Sequence, residues 1–217
     1  METGLSTTNA WIIGTLPDEA IDDALQAAVQ AGPPQPPSIP VDLSGGLARW
    51  RSRAHESLFS TSETGRLHAD DDAFRLSVFL DSCLDDSQPA AALRDAVMER
   101  FPAHGTEGLF AAVARKASPF SALAYALGPD ATLQLPGWFG DFLLTAEEVR
   151  AQLPAAEQAL ALTGTQRRNA VERIHAWLTG LGDAPDHDAE ELLDGPLRVL
   201  HHAARTGQGA AGQVRRY

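Results

Sequence analysis

Apolar side chains recur at helical spacing along most of the 217-residue chain. Ile21, Leu25 and Val29 lie four residues apart, which places them on one face of a helix. The same periodicity returns in several further segments and is interrupted at glycine and proline. It predicts helices at residues 17–31, 46–59, after the aspartates at 70–72, and at 89–101, 106–113, 118–128, 145–162, 165–180 and 189–206.

Residues at the helix boundaries support several of these assignments. Thr145 and Glu148 have the spacing of a capping box, in which each side chain binds a free backbone N–H of the first turn. Thr165 is the predicted cap of the following helix. Proline lacks an N–H group, so Pro154 predicts a kink or break, and residues 194–196 either interrupt the last helix or begin it anew.

Short apolar stretches without helical spacing predict three or four strands. They lie at residues 11–13, 132–135, 138–144 and 213–217. The polar residues 60–69 predict a loop. These elements give seven to nine helices and a small sheet of short strands, so the sequence predicts a mainly α protein or an α+β protein.

The length of the chain is sufficient for one compact domain, predicted over residues 1–217, that buries its core without disulfides. Residues 32–40 are rich in proline and predict a stiff, extended connector inside that domain. No apolar run approaches the roughly 18 residues of a membrane span, and the N-terminus lacks the pattern of a secretory signal. We therefore expect a cytoplasmic protein that binds no membrane.

The chain is acidic, with a net charge of −12 and a single lysine, Lys116. Nucleic-acid binding depends on basic patches that neutralise phosphates, so direct nucleic-acid binding is not expected. The charge favours a basic protein partner, although it also serves solubility. The abundance of arginine and alanine, with only two asparagines, is typical of bacterial genomes of high GC content.

Signatures of common catalytic centres are missing from the sequence. It contains no phosphate-binding loop that ends in Gly-Lys-Ser/Thr, no Gly-x-Ser-x-Gly elbow, no His-Glu-x-x-His helix and no Cys-x-x-Cys pair. Cys83 is the only cysteine and lies among apolar residues, which predicts a small buried side chain in a reducing compartment. We assign no catalytic residue, metal site or cofactor from the sequence.

Histidines and acids cluster at two places where a site could still be assembled. The first combines residues 186–188 with His201 and His202, but adjacent histidines project about 100° apart on a helix and rarely bind one ion. The second combines His55 and Glu56 with the aspartates at 70–72, which also suit a helix start. Both clusters indicate soluble surface more strongly than a metal or catalytic centre.

The segment 137–142 is the best local candidate for a binding site. Two glycines flank two aromatic residues, and an acid follows. Exposed aromatic residues on loops often anchor binding, and glycine permits close approach of a ligand. We therefore predict Trp138, Phe139 and Asp141 as binding residues. The alternative is a tight turn that places Trp138 and Phe142 in the core.

Three segments resemble, in order, the YfbM-like family of small bacterial cytosolic proteins. They are residues 12–14 leading into 17–20, residues 144–149, and residues 197–209 before the C-terminal tail. The resemblance covers about a fifth of the chain and does not extend to the proline-rich segment or to residues 89–127. It implies an α/β-type layout and a cytosolic location, and it assigns no activity.

Three hypotheses for the function remain open. The first is a non-enzymatic accessory, regulatory or immunity-type protein that binds a basic partner through its acidic surface and the aromatic segment. The second is an enzyme, such as a metal-dependent hydrolase, with a site assembled from scattered histidine and carboxylate side chains. The third is a helical scaffold or oligomer subunit, for which residues 166–178 offer a candidate exposed apolar face.

Overall fold

Strands from the two ends of the chain pair at the centre of the molecule. The structure is a computed structural model that describes residues 8–33, 42–183 and 188–217. Its strands are β1 (Asn9–Leu16), β2 (Phe59–Thr61), β3 (Leu67–Ala69), β4 (Leu109–Ala114), β5 (Phe142–Leu144) and β6 (Gly209–Arg216). Its helices are α1 (Asp18–Gln30), α2 (Leu43–Arg53), α3 (Asp71–Ser82), α4 (Gln88–Met98), α5 (Pro119–Leu127), α6 (Pro129–Thr132), α7 (Ala146–Leu160), α8 (Gly164–Gly180) and α9 (Ala189–Thr206).

Four of these strands form an antiparallel sheet in the order β4-β1-β6-β5. β1 pairs with β6 along its whole length, from Asn9 opposite Arg216 to Leu16 opposite Gly209. Every residue of β1 is buried, because helices cover both faces of this central strand. β2 and β3 form a separate antiparallel hairpin.

Alternate residues of the central strands pack against different helices, as the twofold side-chain period of a strand requires. Trp11 and Ile13 belong to the main core together with residues of α5, α8 and α9. Leu16 and Ala211 belong to a smaller cluster with residues of α1 and α4. The sheet is thus the middle layer of three, with α1 and α4 on one face and the larger helical layer on the other.

The second helix, the small hairpin and the third helix lie beside the main helical layer. α2 and α3 contact each other, and α3 also contacts α5. Trp50 of α2 and Leu76 and Leu80 of α3 point into the main core. Asp70 caps α3, where its carboxylate accepts a hydrogen bond of 2.8 Å from the backbone N–H of Ala73.

The described residues form a single domain that is mainly helical and carries a small antiparallel sheet, as the sequence predicts. The strands at both ends of the chain and the helices around residues 17–31, 145–160 and 189–206 are confirmed. The capping box at Thr145 and Glu148 is present in full. None of the helices in the described ranges is long and apolar enough to span a membrane.

Three assignments of secondary structure are wrong. Residues 109–114 form strand β4 and not part of a helix. Residues 60–69 contain the β2–β3 hairpin instead of a plain loop. Residues 132–135 form no strand, because Thr132 ends α6 and its hydroxyl donates a hydrogen bond of 2.8 Å to the carbonyl oxygen of Gly128.

Several helix boundaries and helix faces also differ from the prediction. α2 ends at Arg53, and α8 begins at Gly164, just before the predicted cap Thr165. Helices α7 and α9 continue through Pro154 and Pro196. The apolar side chains of the 166–178 segment are buried in the main core or packed against it, so they offer no exposed apolar face for assembly. Most of the proline-rich connector lies outside the described residues.

Candidate functional site

The predicted aromatic segment forms a two-residue hairpin turn that leads into β5. The backbone N–H of Trp138 donates to the carbonyl oxygen of Asp141 at 2.8 Å, and the N–H of Asp141 donates back at 3.0 Å. Phe139 and Gly140 occupy the corner with φ values of 48° and 93°. Positive φ at both corner residues matches the twist of a β-hairpin, but it is unfavourable for a residue with a side chain such as Phe139.

Burial of the Phe139 ring compensates for this backbone conformation. The side chain is only 5% exposed and packs edge-to-face against the rings of Phe79 and Trp138. The indole N–H of Trp11, on the central strand, donates to the carbonyl oxygen of Gly140 at 3.2 Å. This half of the turn is therefore part of the core, and Phe139 supports the site from beneath.

Asp141 connects the turn to the sheet and to α4. One carboxylate oxygen accepts a hydrogen bond of 2.7 Å from the backbone N–H of Val214, and the other accepts one of 2.9 Å from Arg94. Arg94 also donates to the carbonyl oxygen of Asp85 at 2.8 Å. Burial raises the pKa of Asp141, while the Val214 N–H and the Arg94 guanidinium act in the opposite direction.

Trp138 is the exposed half of the turn. Its side chain is 45% exposed, yet its indole N–H donates to the carbonyl oxygen of Cys83 at 2.9 Å. The tight turn of the alternative interpretation is present, but it leaves Trp138 only half covered. Burial raises the pKa of the Cys83 thiol to about 12, so this cysteine is neutral at physiological pH.

One side of Trp138 faces an open groove of about 1420 Å³, which we name the α2–α3 groove. Its walls come from α2, α3 and residues 84–88. Phe74 and Val78 lie one turn apart on α3 at 53% and 68% exposure, and both line the groove. Two exposed apolar side chains and a half-exposed indole therefore share one concave surface.

Charged side chains surround the α2–α3 groove. Ion pairs hold most of its arginines, including Arg53 with Asp72 at 3.1 Å and Arg216 with Asp81 at 3.1 Å. Asp86 is well exposed and lies 3.9 Å from the nearest arginine nitrogen. The acids outnumber the arginines by five to four among the lining residues, so the rim carries a small negative excess.

A second cavity, of about 340 Å³, lies between α4 and the β5–β6 edge of the sheet, and we name it the α4–β5 cleft. Leu93 and Val97 of α4 and Leu143 of β5 supply apolar walls, and Gln213 of β6 also lines it. Trp138 lines both cavities.

The histidine clusters do not assemble into a common centre. His201 lies 3.3 Å from Glu157, whereas His202 lies 3.2 Å from Glu107, so the adjacent histidines meet different acids. Residues 186 and 187 lie outside the described residues. Within the part of the chain that the structure describes, no group of three histidine, cysteine or acidic side chains could hold a metal ion.

The second cluster is organised by an arginine. Arg53 binds Glu56 and Asp72, each at 3.1 Å, and so connects the end of α2 to the start of α3. His55 is the basic residue predicted beside these acids, but the residue that forms ion pairs with them in the fold is Arg53. The arrangement joins two helices.

Four residues of these cavities were not singled out by sequence reasoning. Phe74 and Val78 follow the helical periodicity of α3, and only the fold shows that they face outward. Arg94 lies 47 residues from Asp141 in sequence. Gln213 adjoins Val214, which lies 73 residues from Asp141, so no local spacing connects these residues. An amide side chain within the apolar stretch before Val214 was the one signal available.

Comparison of the chain with protein-family models, with curated proteins and with solved structures finds no match. The resemblance to the YfbM-like family therefore stays a prediction.

Proposed function

We propose that this chain is a non-enzymatic accessory, regulatory or immunity-type protein that binds a basic partner protein in the α2–α3 groove. The observation that carries the proposal is the state of Trp138, which is half exposed and yet fixed by a hydrogen bond to Cys83. A fixed aromatic ring loses little conformational entropy on binding, which is a property of interface anchors.

The surface beside Trp138 suits an apolar contact. Phe74 and Val78 form an exposed pair on α3, and Trp138 lines the same groove. Contiguous apolar surface of this kind, rimmed by polar groups, is typical of sites that bind other proteins. A partner segment with apolar side chains on one face would cover these three residues together.

The charge of the molecule indicates the chemistry of that partner. The chain carries −12 overall, and exposed acids such as Asp86 line the same groove as Trp138. Long-range attraction would speed the approach of a basic segment and disfavour acidic competitors. The partner is therefore an amphipathic segment with basic residues around an apolar face. The proposal includes a cytoplasmic location for the protein.

Two matched pairs of exposed residues allow a controlled test. Phe74 and Val78 on α3 have the same four-residue spacing as Leu25 and Val29 on α1. Leu25 and Val29 are 47% and 78% exposed, and they line neither cavity. The tagged protein is used to capture proteins from its native lysate at low and high salt. Captured proteins are quantified by mass spectrometry.

Under this proposal, a basic protein is captured by the wild type at low salt and is lost at high salt. Replacement of Phe74 and Val78 by serine abolishes its capture, whereas the same replacement of Leu25 and Val29 leaves it unchanged. Equal capture by the two double variants would refute binding in the groove, and so would the absence of any salt-sensitive partner of the wild type.

A further inference from the structure

We propose that the α4–β5 cleft is a second, independent binding site, which takes a small and mostly apolar molecule with a neutral primary amide as its polar end. The proposal goes beyond partner binding and does not depend on it. The ligand would be bound by apolar walls on α4 and β5 and by the side-chain amide of Gln213.

The unpaired amide oxygen of Gln213 is the observation that points to a ligand. Gln213 is only 1% exposed and lines the cleft. Its Nε2 donates to the sulfur of Met98 at 3.3 Å, but its Oε1 is buried without a hydrogen-bond partner. An unpaired buried acceptor destabilises a fold, whereas a ligand that donates to it would remove that cost.

The position of Gln213 follows from the alternation of β6. Ala211 packs into the cluster formed with α1 and α4, and Gln213 lies two residues further along the same face of the strand. An apolar residue at position 213 would suit this face as well as Ala211 does. Packing against this apolar layer therefore does not explain why residue 213 is a glutamine.

The rest of the cleft suits a short hydrocarbon chain. Leu93 and Val97 approach from α4, and Phe142 and Leu143 approach from β5. A volume of about 340 Å³ lies at the small end of the roughly 300–1,000 Å³ range for small-molecule sites. A chain of about six carbons with one polar group is of the right size for such a cavity.

The charges around the cleft select a neutral polar group. The Asp141 carboxylate, 2.9 Å away, already balances the charge of Arg94, and the described residues that line the cleft include no other cation, so an anion would find no uncompensated positive charge there. A carboxylate has no hydrogen to donate to Gln213 Oε1 at neutral pH. An ammonium group would lose its hydration in an apolar cavity. A primary amide can both donate to and accept from the Gln213 amide.

The test uses three probes with the same six-carbon chain: hexanamide, hexanoate and hexylamine. Each is titrated into the 15N-labelled full-length protein while the backbone amide signals of Leu93, Gly212 and Gln213 are followed by NMR. We expect saturable shifts with hexanamide and an affinity about tenfold higher than for either charged probe, the difference that one hydrogen bond of about 1.4 kcal/mol makes.

Two leucine variants separate the role of Gln213 from a general effect of added apolar surface. Gln213→Leu should reduce the preference for hexanamide over hexanoate to less than about twofold, because the unpaired acceptor is gone. Gln26→Leu, at an exposed position of α1, should keep the preference of the wild type. A thermal melt of each variant shows that it is folded.

Three results would overturn the proposal: no saturable shift with hexanamide, equal or tighter binding of hexanoate or hexylamine, or an unchanged preference in Gln213→Leu. If that variant fails to fold, the comparison of the three probes on the wild type still decides. No partner protein takes part, and neither Phe74 nor Val78 is changed. Failure here is therefore distinguishable from failure of the proposed function.

Discussion

Trp138 and Phe139 are neighbours in the chain, but they differ ninefold in exposure, at 45% against 5%. Phe139 lies at the corner of the turn with positive φ and packs into the core. Trp138 packs on the Phe139 ring and leaves half of its own surface free. An aromatic pair in a sequence can thus combine one residue that stabilises the turn with one that remains available for contact.

The buried half of the turn gives the exposed half its rigidity. Asp141 binds Val214 on the central sheet and Arg94 on α4, so the turn is attached to two elements at once. The indole N–H of Trp11, on the neighbouring strand β1 of the same sheet, donates to the carbonyl oxygen of Gly140. We therefore expect changes in the buried half to reduce stability and changes at Trp138 to affect binding.

Phe139→Ala should have the largest effect on stability. It leaves a cavity next to Phe79 and keeps a side chain at positive φ, so the free energy of unfolding should fall by about 4 kcal/mol. Urea denaturation followed by circular dichroism measures the change. A loss below about 1 kcal/mol would mean that the ring contributes little to the core and that the contrast with Trp138 is mistaken.

Asp141→Ala should have the next largest effect. It removes two hydrogen bonds and takes the carboxylate away from Arg94, whose side chain is only 14% exposed. We therefore expect the free energy of unfolding to fall by about 3 kcal/mol. A double-mutant cycle with Arg94→Ala measures the direct coupling of the two side chains. Additive effects in that cycle would show that the ion pair does not fix the turn.

Trp138→Phe should have a small effect on stability. It retains an aromatic ring but loses the hydrogen bond to the carbonyl of Cys83, for a cost of about 1 kcal/mol in urea denaturation. A loss as large as that of Phe139→Ala would contradict the division of the turn into a structural half and an available half.

The pH dependence of stability gives the smallest effect, and its difference between the wild type and Asp141→Asn isolates the contribution of Asp141. Burial raises the pKa of its carboxyl above the ordinary value of 3.8, so the unfolded chain releases this proton first as the pH rises. The stability that the protonated Asp141 carboxyl contributes to the folded state is fully present below pH 3.8. It is lost as the pH rises through the raised pKa of the folded protein. The stability of the wild type relative to Asp141→Asn should therefore decline across this range, and an increase would contradict the sign.

Local patterns predicted the helices well because their caps and their periodicity lie within a few residues. The capping box at Thr145 and the stop at Gly207 needed no tertiary information. β4 was missed because Leu109, Phe110 and Val113 also fit a helical face and are separated by alanines. Pairing with β1, about a hundred residues earlier in the sequence, determines its conformation, and tertiary context of this kind overrides local propensity.

The site was predictable only in part for the same reason. The two glycines and two aromatics of the turn are adjacent in sequence, so the segment could be singled out. Its surroundings come from α3, α4 and β6, which no spacing rule connects to residue 138. Exposure was also unpredictable, because Trp138 and Phe139 carry the same kind of side chain and differ only in their place on the turn.

The most direct test of partner binding in the α2–α3 groove is photo-crosslinking from inside it. A benzoyl-phenylalanine is placed at position 74 in the groove or, as a control, at position 25 on α1, and cells that express either protein are irradiated. The account predicts a covalent product with a basic protein from position 74, reduced by Trp138→Ala, and no such product from position 25. No product from position 74, or the same products from both positions, would contradict it.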